Sequence, residues 1–259
     1  MADPHAGRIT SQPSYDQTRA AWERIWDAAD VEAELAAVGY PRAQETISRY
    51  CPFLPKDRPI LEAGSGLSAV VIALRRLGYD MIGLDYAENA LRISRAYDPS
   101  LKLAAGDIHA LPFADDSLGG YLSFGVLEHF EYGMGAGLRE AHRVLERGGV
   151  LVLTIPYPNL VYRLAKWKNR RRRAEGGYYE TAYTRAELIR EVTAAGFQVA
   201  LAEPTSHSFT LWGLGGLFRA PGYYKTSALA EALGAALRHL LPWAFNYMTL
   251  IVAHKLGVR

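Results

Sequence analysis

Sulfur chemistry is nearly absent from this chain. Cys51 is the only cysteine among 259 residues, which excludes an internal disulfide and any cysteine-based zinc cluster and fits a reducing compartment. Net charge is nearly absent too: 29 lysines and arginines stand against 27 aspartates and glutamates, a formal +2. No global field therefore points to nucleic acid as a partner. No uninterrupted apolar stretch reaches the roughly 18 residues of a membrane-spanning helix. Residues 1–12 are polar and contain proline, unlike a secretory leader, so the expected location is the cytoplasm. His109, His142, His207 and His239 are scattered without ligand spacing, and no metal is expected. Repeats at a fixed period and long low-complexity tracts are also lacking. What is present, 49% hydrophobic and 22% charged residues, is ordinary for an α/β protein with one sizeable core.

Four short blocks stand in a fixed order in this background. They are Ile60-Leu61-Glu62-Ala63-Gly64-Ser65-Gly66, Gly83-Leu84-Asp85, Gly106-Asp107-Ile108, and Arg143-Val144-Leu145 leading to Gly148-Gly149. Pro59 to Ala63 reads as a short buried strand, after which the glycines let the backbone turn tightly and approach a ligand. Leu67, Val70, Val71, Leu74 and Leu77 then recur at the helical period, and Gly78 ends the helix. Met81 to Leu84 is the next strand. Asp85 stands at its carboxyl end, 19 residues after Gly66, where one carboxylate can accept hydrogen bonds from both hydroxyls of a ribose. Leu101 to Ala105 is a third strand. Asp107 beyond it can accept from an adenine amine, while Ile108 holds the ring edge and face. The order describes a sheet edge for an adenosine-bearing cofactor without a pyrophosphate.

With Gly125-Val126-Leu127-Glu128-His129-Phe130 and the segment Leu138 to Gly149 (LREAHRVLERGG) added, the chain resembles the class I S-adenosylmethionine-dependent methyltransferases, over roughly residues 40–203 and a last strand near 245–254. Two departures are Ser68 for the third glycine of the loop and Leu118-Gly119 for the Phe-Asp pair before strand four. The resemblance implies a doubly wound, Rossmann-like, mainly parallel sheet of seven strands with the last one antiparallel. It implies S-adenosylmethionine as cofactor and S-adenosylhomocysteine as product. Contacts are expected from Glu62, Gly64, Ser65, Gly66, Asp85, Tyr86, Asp107, Ile108 and Ser123. Residues 1–50 are expected as helices over the cofactor pocket (about 15–29 and 31–50), bringing Tyr15, Trp22 or Trp26 to the ligand or packing them on the core. Residues 51–259 are expected to form the methyltransferase domain.

Strands are expected at Val150–Ile155, Phe197–Ala202 and Tyr247–Ala253, with a capped helix from Thr184-Arg185-Ala186-Glu187 to the stop at Gly196. About 157–183 and 204–244 are insertions, expected as a helical lid over the acceptor pocket. Tyr178, Tyr179, Tyr183, Trp212, Tyr223 and Tyr224 are candidates for an apolar or sugar-binding cleft, and packing is the alternative. The second insertion ends in a helix with Leu229, Leu233, Leu237 and Leu240 on one face.

Methyl transfer is an in-line displacement that depends chiefly on positioning, with a base where the acceptor is a neutral alcohol or protonated amine. His129 is the first candidate base and Glu128 the second. A structural role within the loop is the competing reading of His129, and His207 is an outside candidate. The acceptor is expected to be an oxygen or nitrogen of a small molecule, sugar- or lipid-linked. The tetrad of amino-methylating nucleic-acid enzymes after strand four is replaced by Ser123-Phe124-Gly125-Val126. Lys166 to Arg173 holds six cations in eight residues, either a solvated surface or a contact with phosphates, including the inner face of a membrane. Two alternatives remain: an NAD(P)-dependent oxidoreductase, from the Gly64–Ala69 spacing, and a degenerate cofactor-binding protein. The pair Tyr162 and Lys166 has the spacing of a dehydrogenase pair but lacks a serine a dozen or so residues before it, and is read as coincidence.

Overall fold

The computed structural model describes residues 15–168 and 177–256. Seven strands form one sheet in the order β3-β2-β1-β4-β5-β7-β6. They are β1 (Ile60–Ala63), β2 (Met81–Asp85), β3 (Lys102–Ala105), β4 (Leu118–Phe124), β5 (Leu145–Pro156), β6 (Phe197–Thr205) and β7 (Met248–Lys255). β7 runs antiparallel to both β5 and β6, and the other pairs are parallel. This is the expected fold class. It also departs from the 3-2-1-4-5-6 order of the dinucleotide fold, and nothing supports the oxidoreductase alternative.

The sheet is covered on both faces, so apolar residues of its central strands are buried at consecutive positions rather than at alternate ones. Leu61, Tyr121, Leu151 and Ile251 point into one core with Leu138 and Leu188. Their strand neighbours Ile60, Leu122, Val152 and Val252 point into the other, with Tyr50, Val71 and Leu74. Full burial of such side chains is worth about 1.5–3 kcal/mol each. Summed, this outweighs the roughly 1–2 kcal/mol cost of holding Ser68 left-handed, at φ 60° before the helix Ala69–Arg76.

Three helices, α1 (Tyr15–Asp27), α2 (Val31–Val38) and α3 (Pro41–Tyr50), precede the sheet. The single helix expected over 31–50 is thus two. Proline at 41 disfavours helical backbone at Tyr40, which is extended at ψ 150°. β5 begins at Leu145 rather than Val150. Its register on β4 jumps from Leu118↔Leu145 to Gly120↔Val150, so Gly148 and Gly149 lie in a bulge inside the strand. The capping box at Thr184 and Glu187 is formed as expected, and Gly196 beyond that helix has φ 94°.

The second insertion contains helices His207–Leu214 and Ala228–Leu240. The leucine face of the latter is not its packing face. Leu229, Leu233 and Leu240 are exposed, while Ala230 and Gly234 are buried. A Cβ on Gly234 would meet the Ser208 backbone nitrogen at 2.7 Å, so small residues permit the close helix approach and leucines there would prevent it. No helix among the described residues is long and apolar enough to cross a membrane. The basic residues Arg170 to Arg173 lie outside the described residues, as does the polar segment at 1–12.

Candidate functional site

A cavity of about 220 Å³ opens at the carboxyl ends of β1 and β2, under α1. Gly64 (φ 80°) and Gly66 (φ 48°) bring the backbone around the end of β1. A Cβ on Gly64 would meet Val126 Cγ2 at 2.5 Å, and one on Gly66 would meet Trp26 Cζ2 at 2.5 Å. The turn is therefore tied to the β4 loop on one side and to the helical cover on the other.

Asp85 is buried beside this turn. Its Oδ2 accepts from the Gly66 amide at 2.8 Å and its Oδ1 from the Ala87 amide at 2.8 Å, which aims the carboxylate and leaves lone pairs on each oxygen. Burial raises its pKa, opposed by the Ala87, Gly66 and Tyr86 amides. Glu62 on β1 accepts from the Val71 amide at 3.1 Å. Burial lifts its pKa from 4.5 to about 8, against that hydrogen bond and with Asp85 and Glu34 adding to the rise.

Glu34, from α2, is the third carboxylate in the wall. Burial raises its pKa, opposed by the hydrogen bond from the Tyr223 hydroxyl at 2.7 Å. Sequence reading missed Glu34, because nothing local in α2 separates it from Glu32, on a neighbouring turn face. Thr18, Arg19, Val38 and Phe124 also line the cavity and were missed for the same reason.

The cover is aromatic. Trp22 stacks on Trp26 with ring centres 5.4 Å apart and on Tyr178 at 5.1 Å, and lies edge-on to His129 at 5.2 Å. Tyr15, Trp22 and Trp26 all line the cavity, so the ligand-facing alternative for these residues has its geometry. Tyr179 anchors the first insertion to α1 through its amide, which donates to Thr18 Oγ1 at 2.8 Å.

The structure brings together Glu62, Gly64, Ser65, Gly66, Asp85, Tyr86 and His129 around the cavity. It does not bring Asp107, Ile108, Ser123 or Glu128 to the same wall. Asp107 is held by the Tyr15 hydroxyl at 3.2 Å and by the His109 amide at 2.8 Å. Burial is the largest influence on Asp107, yet the His109 and Tyr15 bonds together set its pKa below the usual value. Ile108 packs into the core, and Ser123 is buried with a hydroxyl that makes no hydrogen bond.

His129 Nδ1 lies 2.6 Å from the Tyr179 carbonyl oxygen. A carbonyl only accepts, so Nδ1 carries the hydrogen and the neutral ring keeps its Nε2 lone pair. Glu128 is buried, and burial pushes its carboxyl well above the ordinary range, with Glu180 adding to the rise. A carboxyl held toward its protonated form is the poorer base of the two. His207 Nε2 donates to the Pro242 carbonyl at 2.8 Å, away from the cavity wall.

Two of the other cavities among the described residues take in residues singled out from the sequence or adjoin the first. One, of about 240 Å³, is lined by Tyr162, Lys166, Glu180, Trp212 and Arg219. There the Tyr162 hydroxyl donates to Glu180 Oε1 at 2.6 Å and Lys166 Nζ donates to the Glu180 carbonyl, so the pair serves to seat a buried carboxylate. The other, of about 230 Å³, adjoins the first cavity past Val38, Val70 and Phe124. Of the aromatics expected in a cleft, Trp212 lines the former, Tyr183 is core and Tyr223 holds Glu34.

Residues 61–153 match the family model of a methyltransferase domain. A probable S-adenosylmethionine-dependent methyltransferase of Mycolicibacterium smegmatis is 32% identical over 99 residues, 38% of each chain. The demethylmenaquinone methyltransferase of Renibacterium salmoninarum is 29% identical over 141 residues, 53% of this chain and 58% of that one. The chain thus spans between 38% and 58% of the length of these curated relatives. A solved structure of a complex between the Haloferax volcanii Trm112 methyltransferase activator and a methyltransferase aligns with TM-score 0.66 at 20% identity, over 95% of this chain and 99% of that one. An S-adenosylmethionine-dependent methyltransferase from Methanosarcina mazei aligns with TM-score 0.60 at 18% identity, over 85% and 99%. These two likenesses speak to the fold.

Proposed function

Because residues 61–153 match the family model of a methyltransferase domain, we propose that this chain is a class I S-adenosylmethionine-dependent methyltransferase that transfers the methyl group to an oxygen or nitrogen atom of a small molecule, sugar- or lipid-linked. One observation carries the reading: Glu34, Glu62 and Asp85 surround a single cavity at the β1–β2 edge. Three carboxylates suit a ligand with a ribose diol, an ammonium and a sulfonium, and they would repel a pyrophosphate.

Asp85 would accept from the ribose hydroxyls, and the Gly64–Gly66 backbone would approach the methionine part. Tyr86, Trp22 and Trp26 would enclose the cofactor and exclude water. The acceptor would displace S-adenosylhomocysteine, which would leave with the electron pair of the carbon–sulfur bond. A proton leaves the acceptor atom, and His129 Nε2 is the group we assign to take it. Bound S-adenosylmethionine supplies the activated methyl; the protein's part is alignment, a solvent-poor site and a proton acceptor.

The test separates binding from proton transfer. His129→Asn keeps an N–H donor for the Tyr179 carbonyl and removes the Nε2 lone pair. Turnover is expected to fall about 100-fold, S-adenosylhomocysteine affinity to stay within a few-fold, and the residual rate to lose its pH dependence near neutrality. Turnover falling only in proportion to folded protein would make the histidine structural. A wild-type protein that takes up no S-adenosylhomocysteine in calorimetry would overturn the methyltransferase reading itself.

We further propose contact with an anionic membrane surface. Leu160, Leu164 and Trp167 of the helix Leu160–Lys168 are 69%, 57% and 66% exposed, and the helix leads into the run of arginines at 170–173. Exposed apolar side chains next to cations suit an anionic bilayer, where each cation contributes about 1 kcal/mol. Wild-type protein is expected to co-sediment with phosphatidylserine-containing liposomes at low salt, and a Leu164→Gln/Trp167→Gln variant to stay largely in solution. Wild-type protein that remains in the supernatant ends the membrane reading.

A further inference from the structure

The cavity of about 230 Å³ lies where β4 and β5 end and β7 begins, against Phe124, Thr154 and Met248. It shares Val38, Val70 and Phe124 with the cofactor cavity, so a molecule in it would sit directly beyond the cofactor site. The rest of its wall comes from α3, with Arg42, Thr46 and the apolar Ile47 and Tyr50, and from Thr205 and Ser206 at the end of β6.

Arg42, near the start of α3, is the single charged residue among those lining this cavity. Its guanidinium carbon stands 5.3 Å from the centre of the Tyr40 ring and 4.8 Å from that of Phe209. Its Nη1 is enclosed and makes no hydrogen bond. The nearby acids are committed elsewhere. Glu45 pairs with Arg238 and lies 3.7 Å from Arg49, and Glu231 accepts from the Thr226 hydroxyl. Burial draws the Arg42 pKa down, with the Glu231 charge opposing. An enclosed guanidinium N–H without an acceptor is costly. The planar fork is one that carboxylates and phosphates satisfy two bonds at a time.

We propose that this cavity takes the methyl acceptor and that the acceptor carries an anionic group, carboxylate or phosphate, on an apolar body, with Arg42 as the residue that selects it. The inference rests on the methyltransferase reading for the word acceptor. The binding preference itself stands on the cavity. Arg42 binds and orients, and takes no part in the electron flow of the transfer.

The experiment uses the full chain saturated with S-adenosylhomocysteine and three probes: octanoate, octyl phosphate and 1-octanol. Wild-type protein is expected to bind at least one of the two anions about tenfold or more tighter than the alcohol, and the better anion identifies the group selected. Arg42→Met is expected to bring that anion down to the alcohol's affinity, with Arg42→Lys restoring part of the preference and S-adenosylhomocysteine affinity unchanged in both. Equal binding of anions and alcohol by the wild type overturns the proposal, a result independent of how either variant folds. A preference that survives Arg42→Met overturns it as well. Failure to bind S-adenosylhomocysteine would strike the methyltransferase reading instead, and is read in the separate saturation step.

Discussion

Asp85→Asn should weaken S-adenosylhomocysteine binding by about 3 kcal/mol, because the two charge-assisted hydrogen bonds proposed for the ribose would lose the charge that strengthens them. That is a loss of roughly 100-fold in affinity. The same substitution should also lower the stability of the ligand-free protein. Asp85 gives one oxygen each to the Gly66 and Ala87 amides, and the amide that replaces it presents an N–H to one of them, leaving two donors face to face. The cost of such an unsatisfied donor is about 1–3 kcal/mol. Calorimetry measures the first effect and denaturant unfolding the second. Wild-type affinity in the variant would remove Asp85 from the cofactor site. Asp107→Ala should have a smaller effect on binding, since Asp107 is already engaged by Tyr15 and His109 and stands outside the cavity wall.

Raising the pH should destabilise the ligand-free protein through Glu62, and cofactor should reverse that trend. The folded pKa of about 8 lies above the ordinary 4.5. The group therefore contributes stability that is complete below about 4.5 and is lost as pH rises through about 8. His142 and His207 work in the opposite sense: burial lowers their pKa from 6.5, so their contribution is present above 6.5 and lost as pH falls. From about 6.5 to 8 the histidines no longer contribute a slope, while Glu34, Asp85 and Glu128, also raised by burial, act in the same sense as Glu62. The Glu62 share over that window is about 2 kcal/mol and is the part that Glu62→Gln removes.

Chemical denaturation across that window should show the decline in the wild type and a flatter profile in Glu62→Gln, whose side-chain oxygen can still accept from the Val71 amide. An unchanged slope in that variant would assign the dependence to another group. When S-adenosylmethionine binds, its positive charges favour ionised Glu62, so about one proton should be released near pH 7. The heat of binding would then vary with the ionisation enthalpy of the buffer.

What the sequence determined by itself was whatever depends on near neighbours in the chain. The period of Leu67, Val71 and Leu74 made a helix, Thr184 and Glu187 closed a capping box, and Gly64 and Gly66 turned the backbone at the end of β1, all within a few residues. Asp85 and Glu62, which line the cavity, were legible as candidates because strand ends in this fold fix where such acids lie. Only the tertiary structure decided which distant side chains share a cavity. Glu34 reaches Glu62 and Asp85 because α2 folds back over the β1–β2 edge, and Arg42 reaches Phe124 and Met248 because α3 lies over the ends of β4 and β5.

Tertiary packing also chose between faces that look equivalent in sequence. The helix Ala228–Leu240 turned its leucines outward because Ala230 and Gly234 allow a backbone approach that leucine would block. Likewise Tyr162 and Lys166, which shared a familiar spacing, met around Glu180. Periodicity and capping are short-range and are written in order along the chain. Cavities and charge partnerships are set by contacts between elements far apart in sequence, and steric fit between those elements made the choice.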